Sequence, residues 1–380
     1  MARRVFLHIG LPKTGTSYLQ TILWAHRDEL REAGLLVPGR ERRDHLWASL
    51  VVRADPKVAR RHPRAPDSWS VLRSEATDWA DDVVISHEFF CSASAEQARR
   101  AVRELEPAEV HVVVTAREPL GLFTSSWQES LKNRGTTPIE EYGRSESSDP
   151  LDVWDWRALD LALVLERWAP AVPADRVHVV VAPGPGDPPD ELWRRFCAVL
   201  GTDPEVVGPV TGFPNASMGV AEAETLRRLN QHFTGPGADL PGSFERAYDR
   251  GVWIRTFLAD ERLVPRGGER FWPGADQQQD CRRRGDRAVE LVRSAGFDVV
   301  GDLDRLAVPA ELPPRRHPSS VTDAEVADVA VALAARLMVD LKDGARPGRT
   351  QGTSAAADAG GPGAASTWWR RLRAAARSRR

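Results

Sequence analysis

The residues best suited by type and spacing to do chemistry lie close together near the amino terminus: Gly10, Pro12, Lys13, Thr14, Gly15, Thr16 and Ser17, with the aromatic Tyr18 next. Glycines, hydroxyls and one ammonium gathered in a loop suit an anion, phosphate above all. To do that work they need a strand before them and a helix after. Val5 to Ile9 is an apolar run of strand length, and Gly10 to Gly15 is a turn built from Gly and Pro. Thr16 to Arg31 then reads as a helix, with Leu19, Ile22, Leu23 and Leu30 at helical spacing. The unit points backbone N–H groups and the positive end of a helix dipole at one spot.

The spacing agrees only in part with a Walker A loop, G-x-x-x-x-G-K-[ST]. Gly10, Gly15 and Ser17 fit, but Thr16 stands where the lysine belongs and Lys13 sits inside the loop. The chain has only four lysines, Lys13, Lys57, Lys132 and Lys342, so a lysine here suggests that a compact point charge is wanted. The run Pro12-Lys13-Thr14-Gly15-Thr16-Ser17-Tyr18 resembles the 5′-phosphosulfate loop of the sulfotransferases that use 3′-phosphoadenosine 5′-phosphosulfate (PAPS).

Two further strands end in candidate groups. Val83 to Ile85 should be a buried strand, followed by Ser86, His87 and Glu88. Parallel α/β sheets bind ligands at the carboxyl ends of their strands. His87 and Glu88 are therefore candidates to take a proton from an attacking hydroxyl, and the choice between them is open. The plainer readings are a histidine bonded to backbone and a carboxylate at a helix cap. His111 to Arg117 gives a third strand, with Arg117 at its end, Pro119 at an early helix position and Ser125 about two turns on. An arginine fork and a hydroxyl can clamp a phosphate. Arg-x-Pro with this serine resembles the sulfotransferases' 3′-phosphate segment. The resemblance implies that Arg117 and Ser125 hold the 3′-phosphate, that Lys13 steadies the bridging oxygen and that Tyr18 lies near adenine. It further implies PAPS as donor co-substrate; no metal is expected, because Lys13 and the loop amides carry the neutralising role. The basic Arg282-Arg283-Arg284-Gly285 run is a loose fit to the family's late phosphate loop, and a solvated helix face is the plainer reading.

The totals narrow the field. A formal net charge of −2 over 380 residues argues against a nucleic-acid binder. Cys91, Cys197 and Cys281 are far apart and form neither a metal pattern nor a disulfide framework, so reduced thiols in a cytoplasmic protein are expected. No signal peptide is expected, since the first apolar run leads straight into the loop, and no stretch approaches the length of a membrane span.

Val177 to Ala182 is a fourth, valine-rich strand, and helices are expected over Ala95 to Leu105, Leu159 to Trp168, Glu191 to Leu200, Val220 to Asn230 and Thr322 to Leu341. Alternating strands and helices imply an α/β fold with a mostly parallel central sheet flanked by helices. The resemblance implies the P-loop-like three-layer version, covering residues 4–200 well and the rest weakly. The expected organisation is one α/β domain over 1–343, with acceptor-side insertions at about 32–81, 135–150 and 231–273. A low-complexity, Arg-rich tail occupies 344–380. Trp368, Trp369 and six arginines in that tail suit a small helix lying on anionic lipid, a peripheral membrane contact, while the plainer reading is a disordered basic tail. The reading reached is a sulfuryl transfer from PAPS to a hydroxyl, or less readily an amine, of an acceptor (glycan, lipid or small metabolite) that the chain does not identify. Its alternatives are a P-loop kinase or nucleotide hydrolase, which should show the Walker lysine and a strand ending in a magnesium-holding Asp, and a non-catalytic binder of nucleotide or glycan.

Overall fold

The computed structural model describes residues 2–144, 152–209 and 217–344. The expected turn at Asn215, loop residues 145–150 and the tail from 345, with its membrane reading, lie outside the described residues. No helix among the described residues is long and apolar enough to cross a membrane.

Six strands form one sheet: β1 (Arg4–Gly10), β2 (Leu35–Leu36), β3 (Asp82–Ser86), β4 (Glu109–Ala116), β5 (Val177–Val181) and β6 (Asp298–Val300). Their order is β2-β3-β1-β4-β5-β6, and every neighbour runs parallel. The register sets Leu7 beside Ile85 on one side and Val112 on the other. Alternate residues show both faces covered: Phe6, Val84, Val113 and Val180 are fully buried on one, Leu7, Ile85, Val112 and Val179 on the other. That burial is why these strands read as continuous apolar runs, without alternation. The edge strands β2 and β6, of two and three residues, carry no such run and escape sequence reading.

Helices α1 (Thr16–Ala25) and α2 (Arg27–Glu32) replace the single helix expected over 16–31. The chain leaves helical geometry at His26 (φ −117°), and the bend brings Leu30 into the same apolar cluster as Leu19 and Leu23. There follow α3 (Arg42–Val52), α4 (Ser68–Asp78), α5 (Ala95–Arg103), α6 (Pro119–Lys132), α7 (Trp156–Leu159), α8 (Leu161–Trp168) and α9 (Glu191–Leu200). Beyond them come α10 (Val220–Gln231), α11 (Ala247–Asp249), a π-helical segment (Arg250–Leu263), α12 (Ala275–Ala295) and α13 (Asp323–Lys342). Leu192, Trp193, Phe196 and Leu200 of α9 join α1 in the cluster over Phe6, Val113 and Val180.

The chain divides into two compact units over its described parts. Met1–Trp127, Ile139–Asn215 and Trp272–Pro314 make the first, which holds the whole sheet. Gln128–Pro138, Ala216–Phe271 and Arg315–Arg380 make the second. In the second unit, Val252, Ile254, Leu258 and Leu263 of the π-helical segment are buried.

Candidate active site

A bulge ends β1. His8 pairs with Val113 and Gly10 with Val114, so Ile9 is an extra residue, and a bulge of this kind re-aims the chain that follows. The loop then takes left-handed backbone at Gly10 (φ +131°), Lys13 (φ +66°) and Gly15 (φ +95°). Two of these positions need glycine for a second reason. A Cβ on Gly10 would lie 3.1 Å from the Glu88 carbonyl oxygen, and one on Gly15 would lie 2.3 Å from Leu192 Cδ2. Lys13 has a side chain and still holds the left-handed form, a cost of about 1 kcal/mol that proteins tend to bear at functional loops. Gly15 is the N-cap of α1, so the first amides of that helix have no carbonyl partner within it. The loop can thus receive an anion from N–H groups, the Lys13 ammonium and the exposed Ser17. Thr16, in the Walker lysine's place, is buried.

Beneath the loop runs a chain of buried polar groups. His8 Nδ1 lies 2.8 Å from Ser86 Oγ, and His8 Nε2 lies 3.2 Å from Thr115 Oγ1. Thr115 Oγ1 lies 2.6 Å from Thr14 Oγ1 and 3.0 Å from the Gly10 carbonyl oxygen, while Thr14 Oγ1 donates to the Leu11 carbonyl at 2.6 Å. Burial pushes the His8 pKa down to about 4, so the ring is neutral near pH 7 and carries one N–H. The consistent arrangement has Nε2–H donating to Thr115 and Nδ1 accepting from Ser86. Two threonine protons then serve three contacts, so the Thr115 proton is shared between Gly10 and Thr14. His45 of α3 locks the next link: its Nε2 donates to the Pro38 carbonyl (2.8 Å) and its Nδ1 accepts the Ser86 amide (3.0 Å). The ends of β1, β3 and β4 are thereby tied to the loop.

At the end of β3, His87 and Glu88 come next to the loop, with the Glu88 backbone against Gly10. His87 Nδ1 accepts the Phe89 amide at 3.1 Å, capping the short 3₁₀ turn Glu88–Ser92. That leaves the neutral ring's proton on Nε2, so the histidine has no lone pair to offer an incoming hydroxyl unless the cap breaks. Burial also lowers its pKa. Glu88 Oε2 accepts the Gln20 amide of α1 at 2.9 Å, and Gln20 Oε1 in turn accepts from Arg42 Nη2 of α3 at 2.8 Å. Burial pushes the Glu88 carboxyl up. His87, the Gln20 amide, its own main-chain amide and Arg42 outweigh that, and it lies below its ordinary value.

At the end of β4, Arg117 lies two residues beyond Thr115 and pairs with Glu118 Oε1 at 3.4 Å. Glu118 Oε2 accepts the Gly121 amide (2.7 Å), closing the first turn of α6. A Cβ on Gly121 would sit 2.2 Å from Arg117 Nη2, so the guanidinium lies against that glycine. Ser125 follows four residues later, one turn along the same helix face. Tyr18 turns into the apolar cluster, its hydroxyl 3.4 Å from the Pro189 carbonyl. Arg282, Arg283 and Arg284 lie within α12, not a loop: Arg282 donates to the Pro309 carbonyl, Arg283 to Asp280 and Arg284 to Asp160 and Asp280. Asp82 sits at the opposite, amino end of the sheet, held by Arg3 Nη2 at 2.7 Å and Arg4 Nη2 at 2.5 Å.

The supporting residues His8, Ser86, Thr115 and Gln20 were not singled out by sequence reasoning. A signal existed for two of them: His8 and Thr115 are the polar residues at the ends of the apolar runs VFLHIG and HVVVTA. No protein-family model matches the chain, and no curated protein matches it. Among solved structures, the chain is similar to a sulfotransferase from Alicyclobacillus acidocaldarius, at 17% identity and a TM-score of 0.38, over 60% of this chain and 93% of that one. It is also similar to the sulfotransferase domain from the curacin biosynthetic pathway, at 12% identity and a TM-score of 0.30, over 56% of this chain and 79% of that one. The roles of the residues rest on the chain's own geometry.

Proposed function

We propose that this protein transfers a sulfuryl group from PAPS to a hydroxyl of an acceptor. The observation that carries the reading is the Thr14–Thr115 contact of 2.6 Å. It joins the phosphate-type loop to the strand that leads into Arg117, so the loop cation and the guanidinium share the carboxyl edge of one sheet. The donor supplies an activated sulfuryl group on a 5′-phosphate oxygen. The loop amides, Thr16 and Ser17 hold the 5′-phosphate, Thr14 serving through its amide because its hydroxyl is spent on Leu11 and Thr115, with Pro12 and Gly15 shaping the loop. Arg117 and Ser125 take the 3′-phosphate and fix the donor's register. Tyr18 packs behind the loop near the base. Lys13 stabilises the charge that grows on the oxygen bridging phosphorus and sulfur as that S–O bond breaks.

The acceptor oxygen forms the new S–O bond in line with the leaving oxygen, and its proton goes to Glu88. Glu88 is ionised at neutral pH and can take that proton, whereas His87 spends its Nδ1 on the Phe89 amide. A kinase reading asks for a strand beside the loop that ends in a magnesium-holding aspartate, whereas β3 ends in Ser86 and β4 in Ala116.

Calorimetric titration tests the proposal. Adenosine 3′,5′-bisphosphate should bind with magnesium chelated and more tightly than ATP. Tighter binding of ATP with magnesium would return the chain to the kinase class. Binding of the bisphosphate, without label transfer from PAPS to any lipid, polysaccharide or small-metabolite fraction, would leave a non-catalytic binder.

A further inference from the structure

Helix α13 has two apolar faces. One looks inward: Val329 and Leu333 are buried, Val326 and Leu337 are half-buried, and the helix packs on α10. Asp340 on that face is buried and held by Arg262 Nη2 of the π-helical segment at 2.7 Å. The other face carries Ala324, Ala327, Val331, Ala334, Met338 and Leu341, and all six are exposed. The large ones are left well out in solvent, with Val331 at 70%, Met338 at 71% and Leu341 at 78% exposure. Their spacing alternates three and four residues without a break, which is the a/d rhythm of a helix that pairs with another helix. A surface helix normally spends one stripe on its own core and presents polar groups elsewhere. A second continuous apolar stripe marks an interface.

We propose that the occupant of this stripe is a second copy of the same chain, with the two α13 helices antiparallel. Side-chain size selects that orientation. Run antiparallel, Ala324 lies opposite the partner's Leu341, Ala327 opposite the partner's Met338, and Val331 opposite the partner's Ala334. Every layer then joins one small residue to one larger one, and the helices stay a constant distance apart. Run parallel, alanine would meet alanine at one end while Met338 and Leu341 met their own copies at the other, and the pair would splay. Charge agrees with size. The antiparallel register brings Asp328 beside the partner's Lys342 at each end of the seam; both are exposed, Lys342 with 82% of its side chain in solvent. Ala330 and Ala335 flank the middle, where the two backbones approach most closely.

Sedimentation velocity of the full chain, over about 1 to 100 µM so that mass action is visible, tests the inference. The expected result is a weight-average mass rising from 42.0 kDa toward twice that value. Val331→Glu should weaken association by at least about a hundredfold. Asp328→Lys should weaken it about tenfold, and adding Lys342→Asp should restore it, because the pair is then only exchanged. All three positions are exposed, so circular dichroism should show an unchanged fold. A wild-type monomer at every concentration, or a dimer indifferent to Val331→Glu, overturns the proposal. So does a monomer that dimerises only when residues 345–380 are removed, since the chain's own tail then covers the stripe. Co-sedimentation with phosphatidylserine vesicles in place of dimerisation assigns the stripe to lipid and overturns it too. Failure of the charge exchange to rescue overturns the antiparallel register.

Discussion

Replacing Thr115 by valine isolates the polar chain that supports the loop. The two side chains have nearly the same shape, so the change removes one hydroxyl and little volume. That hydroxyl has three neighbours, and none of them can turn to water: His8 and Thr14 are buried, and Thr115 itself is fully buried. The His8 Nε2–H loses its acceptor and the Gly10 carbonyl loses a donor. Thr14 keeps its bond to Leu11 and is hurt less. At about 1–2 kcal/mol for each stranded group, the loss should be about 2–4 kcal/mol of folding stability. The loop should also lose its tie to β4, and adenosine 3′,5′-bisphosphate should bind about tenfold more weakly, equivalent to about 1.4 kcal/mol. Urea unfolding and calorimetry read the two effects separately. Thr115→Ser keeps the hydroxyl and should lose less than about half as much of each. If Thr115→Val unfolds at the wild-type midpoint, the proton assignment is wrong. If it is destabilised but binds the bisphosphate normally, the network holds the sheet and does not organise the loop.

Three further outcomes follow from the same geometry. Lys13→Ala should lower kcat by about two to three powers of ten and leave the affinity for adenosine 3′,5′-bisphosphate within about tenfold, because the ammonium acts on charge present mainly in the transition state; a single-turnover assay with labelled donor decides it. Glu88→Gln should lower kcat by about 10²–10⁴ while His87→Asn, which keeps an acceptor for the Phe89 amide, should cost far less; the reverse order would make the histidine the base. Acid should destabilise the fold through His8 and His45, both pushed down to about 4 by burial from an ordinary value near 6.5. Above pH 6.5 neither state binds these protons. Between 6.5 and 4 the unfolded chain takes them up and the folded chain does not, so stability falls as pH falls, by about 3 kcal/mol per histidine at pH 4. Urea midpoints unchanged between pH 7 and pH 5 would contradict the neutral state assigned to the two buried rings.

Much of the fold was legible because fully buried parallel strands announce themselves. Val5 to Ile9, Val83 to Ile85, His111 to Arg117 and Val177 to Ala182 each fall within an observed strand or overrun it by one residue. The bend at His26 was not legible, since periodicity alone continues through it and only the demand that Leu30 reach the core decides the angle. Gly and Pro punctuation marked the loop correctly, but it could not show that Lys13 adopts left-handed backbone, which is unusual for a residue with a side chain. Nor could it show the supporting chain of polar groups, because His8 and Thr14 belong to the first strand–loop unit while Ser86 and Thr115 come from two strands distant in the sequence, and they meet only when β3 and β4 flank β1. Gln20 was hidden for the opposite reason. It sits among the apolar positions of α1, where a buried amide looks like a helix-surface residue until Glu88 is placed opposite it.

The departure from the Walker pattern then has a structural sense. In a loop that handles a polyphosphate with magnesium, a lysine just inside the helix and a strand-borne aspartate divide the negative charge between them. Here the helix position belongs to buried Thr16, and neither strand beside β1 ends in an aspartate: β3 ends in Ser86 and β4 in Ala116. The cation has moved back into the loop, to Lys13, where left-handed backbone holds it between two glycines. On the sulfuryl-transfer proposal, a single ammonium in that place meets the roughly one unit of charge that grows on the bridging oxygen as the S–O bond breaks. On the same proposal, the arginine at the end of β4 holds a phosphate away from the bond that breaks, so it should govern binding and Lys13 the rate. On this division of labour, Arg117→Ala should raise the donor KM about tenfold or more with kcat nearly unchanged, the converse of Lys13→Ala. Equal falls in kcat for both variants would mean that the two cations act on the same atoms, and the spatial separation on which the mechanism depends would be wrong.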